Sequence, residues 1–472
     1  MIAPRLQDFV KAYDVRGLVP EELNPVVATA LGSAFAQVVV IPEGARSMVI
    51  GHDMRPSSPQ LSRAFASGAA AQGVDVTMIG LCSTDGLYYA SGARSVPGAM
   101  FTASHNPADY NGIKLCRSAA RPVGLDSGLA EVRDLAQWLL DRGEHHALPG
   151  TGRVGTIEEA DLLTDYADFL HSLVDLSDSR PLKVVVDAGN GMAGLTVPAV
   201  LERSSLPLEV VPLYFELDGT FPNHEANPLE PENLRDLQAA VLAHGADIGL
   251  AFDGDADRCF VVDERGAPVT PSAITALVAA RQIDAEAAAG VDRADVVVVH
   301  NVICSRSVPE TIAEAGGRAV RTRVGHSYIK AVMAEHDAVF GGEHSAHYYF
   351  RDFWFADSGM LAAMHVLAAL GAQAGPLSEL VRPYERYVGS GEINSRVQDV
   401  PAAVARVRAW GEERGATVDL LDGLTMGTAD QDFWWLSLRP SNTEPLLRLN
   451  VEASDEATMA SVRDEVLRMV RT

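Results

Sequence analysis

Three apolar runs rich in valine end abruptly in polar residues and a turn: "SMVIGHDMRPSS" (47–58), "PLKVVVDAGNGMAG" (181–194) and "ADVVVVHNVICS" (294–305). Runs without polar alternation fit strands covered on both faces, the arrangement of parallel sheets in α/β layers. Each is followed by a second apolar run that stops at a chemically loaded loop: "GAMFTASHNP" (98–107), "DIGLAFDGDADR" (247–258) and "DAVFGGEHSAH" (337–347). Between them lie alanine- and leucine-rich segments with helical spacing, among them "QLSRAFASGAAAQGV" and "PENLRDLQAAVLAHG". The pattern predicts three related α/β domains, each presenting one loop. Beyond about residue 375 it changes to "SGEINSRV", a helical "VPAAVARVRAWGEERG", the apolar "FWWLSLRPSNTEPLLRLNVEA" and a final helix. In that helix Met459, Val462, Val466 and Met469 follow 3/4 spacing behind Ser454 as cap, which completes a smaller α+β domain. The expected boundaries are 1–150, 151–265, 266–375 and 376–472.

Composition narrows the class. A chain of 472 residues with 47% apolar content supports several cores. It contains no run of about 18 apolar residues, and "MIAPRLQDFVKAYDVRG" lacks the basic-then-apolar order of a signal peptide, so a soluble cytoplasmic protein is expected. Cys82, Cys116, Cys259 and Cys304 are far apart with no C-x-x-C pair, which suits free thiols. A net charge of −25 repels polyanions and argues against nucleic acid or an anionic membrane as partner. An anionic substrate would need a locally positive pocket.

The loops carry the chemistry. In "GLAFDGDADRCFVVD" (249–263), Asp253, Asp255 and Asp257 alternate, so in an extended loop their carboxylates converge and raise one another's pKa. A hard divalent cation relieves that repulsion, and magnesium takes oxygen ligands while keeping positions for a phosphate oxygen. An EF-hand is disfavoured, because Arg258 stands where its glycine belongs and "CFVV" continues as strand. The same stretch resembles the nucleophile loop of haloacid-dehalogenase-type phosphatases, with Asp253 attacking phosphorus, although Ala256-Asp257 departs from the usual Gly-Thr. "TASHNPADYNGIK" (102–114) sets Ser104 on a turn beside His105. Adjacent Ser and His seldom meet as nucleophile and base, and no G-x-S-x-G elbow occurs, so a hydrolase is disfavoured. The hydroxyl can instead carry a phosphoryl group. "GGEHSAHYYF" (341–350) packs Glu343, His344, Ser345 and His347 into a cluster suited to sugar hydroxyls; zinc through His344 and His347 lacks a third ligand at helical spacing. "RPSNTEP" (439–445) joins Arg439 to Ser441, Asn442 and Thr443, a bidentate clamp for a dianion.

Taken in order, "TASHNP", "FDGDADR", "GEHSAH" and "RPSNTEP" resemble the α-D-phosphohexomutase family across essentially the whole chain, and "YDVRG", "GHDMRPSS", "VVDAGNGMAG", "FPNHEANPLEPENL" and "RVGHSYIK" agree. The resemblance implies three α/β domains of common topology and a fourth resembling the TATA-binding-protein fold, around one cleft. It implies that Ser104 is a phosphoserine, that Asp253, Asp255 and Asp257 hold one magnesium ion against it, and that Arg258 faces the phosphoryl group. Tyr13, Arg16, His105 and Lys114 match positions around the phosphoserine, with Lys114 and His105 as candidates for general acid and base. Gly325 and His326 match a substrate loop, Glu343 and Ser345 the sugar-hydroxyl contacts, His347 another active-site histidine, and Arg439, Ser441, Asn442 and Thr443 the distal phosphate clamp.

The activity so implied interconverts hexose 1- and 6-phosphates through a hexose 1,6-bisphosphate, which also serves as activator, in a monomer or homodimer. "GEHSAHYYFRDF", "SGEINSRV", "DGLTM" and Asn442 look most like bacterial phosphomannomutases, which feed GDP-mannose synthesis, including those accepting glucose phosphates; phosphoglucosamine mutases typically have Gly for that Asn. Two departures stand out: Ile303 where some members have lysine, and Asp85 where many have proline.

Overall fold

The apolar runs form strands because each is buried on both faces. In a computed structural model, which describes residues 4–143, 152–429, 433–440 and 446–471, strands Ser47–His52, Leu182–Asp187 and Val297–Asn301 are each the central parallel strand of a sheet. Two parallel neighbours flank each one: Asp75–Leu81 and Gly98–Phe101, Leu208–Leu213 and Ile248–Phe252, Arg318–Thr322 and Phe340–Gly342. In the first two sheets an antiparallel strand then follows, Tyr110–Arg117 beside Gly98–Phe101 and Cys259–Asp263 beside Ile248–Phe252. The repeat expected from the pattern is therefore a common topology. Ser104, Asp253 and Glu343 each follow the carboxyl end of the corresponding strand, Gly98–Phe101, Ile248–Phe252 and Phe340–Gly342. Loops at those strand ends are where open α/β sheets bind ligands.

The described residues group into two compact units, Met1–Val269 with Ser345–Ser378, and Thr270–His344 with Glu379–Thr472. The first holds the two mixed sheets and helix Gly359–Gly371. The second holds the parallel strands around Val297–Asn301 and a C-terminal antiparallel sheet, in which Leu446–Ala453 pairs with Trp434–Pro440, Ile393–Arg396 and Val388–Gly389.

Helices Val400–Glu413 and Glu456–Val470 share one apolar core with that sheet, through Val407, Trp410, Leu436, Leu449, Val462 and Val466. Two local expectations shift there. The final helix is capped by Asp455, whose carboxylate accepts from the backbone N–H of Ala457 and Thr458, rather than by Ser454. Its apolar stripe ends on buried Val470, with Met469 only partly buried. All four cysteines are buried thiols outside any disulfide.

Candidate functional site

The serine loop is built first by the backbone. Strand Gly98–Phe101 is buried throughout, and beyond Thr102 and Ala103, which follow it, Ser104 adopts φ 50°, a left-handed conformation that costs a non-glycine residue about 1 kcal/mol. Two groups hold it there. The Ser104 N–H donates to Thr102 Oγ1 at 2.9 Å, and the guanidinium of fully buried Arg55 donates to the carbonyls of Ser104, Asn106, Pro107 and Tyr110 at 2.7–3.0 Å. The neighbouring strand carries Lys114 opposite Met100. Arg16, on strand Val15–Leu18, reaches the carbonyl of Ala103 and the side chain of Asn106. Tyr13 lies half-buried on the bend before that strand.

The acid loop folds as a turn and not as extended chain. The N–H of Ala256 donates to the carbonyl of Asp253 at 3.0 Å, and Ala256 itself is left-handed at φ 58°. Convergence of Asp253, Asp255 and Asp257 follows from that turn: one ligand oxygen from each lies within 4.8 Å of the others. Asp253 accepts from Ser104 Oγ at 2.8 Å and from Arg258 Nε at 2.9 Å through Oδ2, and from the Arg258 N–H at 3.2 Å through Oδ1. Asp255 Oδ2 accepts from Thr84 Oγ1 at 2.5 Å and Lys114 Nζ at 2.6 Å, and Asp257 Oδ2 from the same Nζ at 2.5 Å. That leaves Asp255 Oδ1 and Asp257 Oδ1 buried without a hydrogen-bond partner among the described residues. Hard oxygen donors that are preassembled, desolvated and still short of a partner fit a small divalent cation.

Burial, ahead of mutual repulsion, sets the charges. It pushes the Asp253 carboxyl up to about 7 against the pull of Arg258. It also opposes the charge on Asp255, but Lys114 and the Thr84 hydroxyl outweigh it and hold that carboxyl far below the usual range. For Lys114 burial again opposes charge, and Asp255 and Asp257 overcome it, so the ammonium stays protonated. Burial and then Arg258 drive the His105 imidazole well below its ordinary value. Its Nδ1 accepts from the Arg258 guanidinium and lies 3.1 Å from Ser104 Oγ.

A third loop of the same unit closes in. Arg258 and His347 form an antiparallel bridge, which puts His347 Nε2 at 3.8 Å from Asp257 Oδ1 while Ser345 Oγ meets its Nδ1 at 2.9 Å. Asp257, His347 and Asp357 also offer ligand atoms within 4.8 Å of one another. Thus Ser104, His105, Arg16, Lys114, the three aspartates, Arg258, Ser345 and His347 come together in the first unit. Arg55, Thr84 and Asp357 join them without having been picked out. Arg55 sits in "GHDMRPSS", where a lone arginine at a strand end is a visible signal; Thr84 and Asp357 carry none.

The remaining residues belong to the second unit. Glu343 Oε2 accepts from Asn301 Nδ2 at 3.1 Å and from the Gly325 N–H at 3.3 Å, and His326 opens helix His326–His336. Arg439 is buried at the end of strand Trp434–Pro440, 3.5 Å from Asp422 and 3.6 Å from Glu392, with Nε lacking a partner among the described residues. Ser441, Asn442 and Thr443 lie outside the described residues.

Family models for phosphoglucomutase/phosphomannomutase match in four consecutive blocks: alpha/beta/alpha domain I over residues 7–135, domain II over 164–266, domain III over 271–387 and the C-terminal domain over 392–469. The chain is 39% identical to a phosphomannomutase of Salmonella montevideo, with 98% of each chain covered. It is 42% identical, again over 98% of each, to a protein of Xanthomonas campestris pv. campestris named phosphohexose mutases. A crystal structure of a phosphoglucomutase/phosphomannomutase family protein from Burkholderia thailandensis superimposes with a TM-score of 0.85 at 32% identity, covering 98% of this chain and 97% of that one. Four ordered domain matches, full-length relatives and a shared fold together give one conclusion: this chain belongs to the phosphoglucomutase/phosphomannomutase family.

Proposed function

We propose that this chain is a phosphomannomutase: an isomerase that interconverts mannose 6-phosphate and mannose 1-phosphate through phosphorylated Ser104 and a hexose 1,6-bisphosphate. The observation that carries the reading is the meeting of two loops, with Ser104 Oγ 2.8 Å from Asp253 in the middle of the acid cluster. A phosphoryl group on Ser104 brings up to two negative charges into a buried site, and Arg258, Lys114 and Arg16 are the cations at hand to receive it. Asp253, Asp255 and Asp257 would hold one magnesium ion, which supplies charge neutralisation for phosphoryl transfer when bound.

In the forward step the bond from phosphorus to Ser104 Oγ breaks as a bond to the free sugar hydroxyl forms, and that hydroxyl loses its proton. Arg258 turns its guanidinium to the phosphoryl oxygens, which releases Nδ1 of the neutral His105 ring to accept this proton. Lys114, held cationic, supplies the proton that the departing Ser104 oxygen takes up, and in the reverse direction each group undoes its own transfer, His105 returning its proton to the sugar oxygen and Lys114 recovering one from Ser104. Return of the other phosphate to Ser104 requires the bisphosphate to turn end over end. Glu343, Ser345 and His347 therefore take sugar hydroxyls, Gly325 and His326 with Tyr13 line the substrate path, and Arg439, Ser441, Asn442 and Thr443 take the distal phosphate in either orientation.

The segments 1–150, 151–265, 266–375 and 376–472 then carry the phosphoserine, metal, sugar and phosphate-clamp functions in turn. No helix among the described residues is long and apolar enough to cross a membrane. The enzyme we propose is cytoplasmic, a monomer or homodimer, and supplies GDP-mannose synthesis; the relatives named phosphomannomutase support its activity. An aspartyl-nucleophile phosphatase fits less well, because both oxygens of Asp253 are engaged by Arg258 and Ser104. The test is intact mass and turnover. Purified protein should carry a phosphoryl adduct that Ser104→Ala lacks, and Ser104→Ala should lose interconversion of the mannose phosphates with a trace of bisphosphate present. A fully active Ser104→Ala variant overturns the proposal. Comparison of kcat/KM for mannose, glucose and glucosamine phosphates separates this substrate from its alternatives.

A further inference from the structure

Beside the acid loop lies a buried carboxylate that the chemistry above does not use. Asp85 lies in the first turn of helix Thr84–Arg94 and has no solvent exposure. Three hydroxyls from separate stretches of the first unit donate to it: Ser83 to Oδ1, and Tyr166 at 2.7 Å and Ser358 at 2.6 Å to Oδ2. A carboxylate accepts at both oxygens, so it alone satisfies three converging donors; an amide of the same shape would turn an N–H toward one of them.

Its neighbours lead straight to the acid loop. Thr84, the preceding residue, binds Asp255 twice, through Oγ1 to Oδ2 at 2.5 Å and through N–H to the carbonyl at 2.9 Å. Ser358 precedes Gly359, where an added Cβ would lie 2.7 Å from the carbonyl carbon of Arg258 and 3.0 Å from the carbonyl oxygen of Ala256. The Asp357–Gly359 stretch is thus pressed against the backbone of the loop at Ala256 and Arg258. Asp85 ties both stretches to one point.

We propose that Asp85 is a positioning residue for the cation site: by gathering Ser83, Tyr166 and Ser358 it fixes Thr84 against Asp255 and Gly359 against Arg258, and so holds the acid loop in ligand register. The inference rests on the reading of Asp253, Asp255 and Asp257 as cation ligands. Its consequence is that loss of the carboxylate weakens cation affinity in folded protein, because three aspartates must then be gathered at the moment of binding.

The probe is Mn2+, measured directly by electron paramagnetic resonance on protein stripped of metal, with thermal unfolding recorded alongside. Parent protein binds one Mn2+ and Asp253→Asn loses it; if parent protein binds none, the ligand reading fails, and the inference with it. Given parent binding, Asp85→Asn and Asp85→Ala should raise the Mn2+ dissociation constant about tenfold. Thr84→Val should give a similar rise, and the Thr84→Val/Asp85→Asn double variant little more than either alone, since both act through one contact. Tyr166→Phe and Ser358→Ala, each removing one donor, should give smaller rises and serve if Asp85→Ala does not fold. A purely structural role predicts lowered unfolding temperature with the dissociation constant within twofold of parent in every folded variant. That outcome overturns the proposal.

Discussion

The charged groups of the two units are held in opposite ways. Around Ser104 each cation is already committed: Arg258 to Asp253 at 2.8 Å, and Lys114 to Asp255 and Asp257 at 2.6 and 2.5 Å. In the second unit the contacts of Arg439 among the described residues are long, 3.5 and 3.6 Å, and its Nε has no partner among them. Cations already paired with the acid loop hold its backbone and carboxylates in place before any ligand arrives, whereas a loosely held guanidinium keeps its hydrogen-bonding capacity for one. The first arrangement suits a reacting group whose position must not vary. The second suits recognition of a substrate that must be received in two orientations.

Arg258→Met leaves Asp253 buried without its cation, and in metal-free buffer should cost about 3–5 kcal/mol of unfolding free energy by urea titration. A loss below about 1 kcal/mol would mean the network is not committed as described.

Next comes pH, where the units should respond with opposite sign. Burial pushes Asp85 in the first unit up to about 6, so its favourable contribution is present below the unfolded value near pH 4 and is lost as pH rises through 6. Burial holds His300 in the second unit down to about 4, so its contribution is present above the unfolded value near 6.5 and is lost as pH falls through 4. Each shift corresponds to about 3 kcal/mol. Measured as stability relative to Asp85→Asn, parent protein should weaken between pH 4 and 7; relative to His300→Gln it should weaken between pH 7 and 4. Parallel slopes would refute the assignment.

Arg439→Ala should lower kcat/KM for the sugar phosphate by about 30-fold, or about 2 kcal/mol, the scale of a charged hydrogen bond, while unfolding free energy moves by under about 1 kcal/mol. A large stability loss with unchanged kinetics would make Arg439 structural. Smallest is the cap of the last helix. Asp455→Ala should cost about 1 kcal/mol in thermal unfolding and Ser454→Ala nearly nothing.

The architecture and both chemical loops of the first unit were readable because they rest on local signals: continuous valine runs for covered strands and carboxylates at strand ends. What stayed hidden depends on tertiary approach. Nothing near Thr84 announces a bond to Asp255, and Asp85 registered only as an oddity in place of proline. The alternation of the aspartates suggested an extended loop, while Ala256 takes a left-handed turn that alanine does not advertise. The cap at Asp455 instead of Ser454 is a one-residue shift between two competent acceptors.

Gly254 has a consequence for how this protein can be altered. A Cβ at that position would lie 2.5 Å from the carbonyl oxygen of Ser104, so the backbones of the two loops share a seam that no side chain fits. Neither loop can be exchanged with a relative's, lengthened or redesigned by itself, because each is the mould of the other. A chimaera joined between the first two α/β domains should tolerate new surfaces and linkers freely and still fail unless both halves of that seam come from one parent.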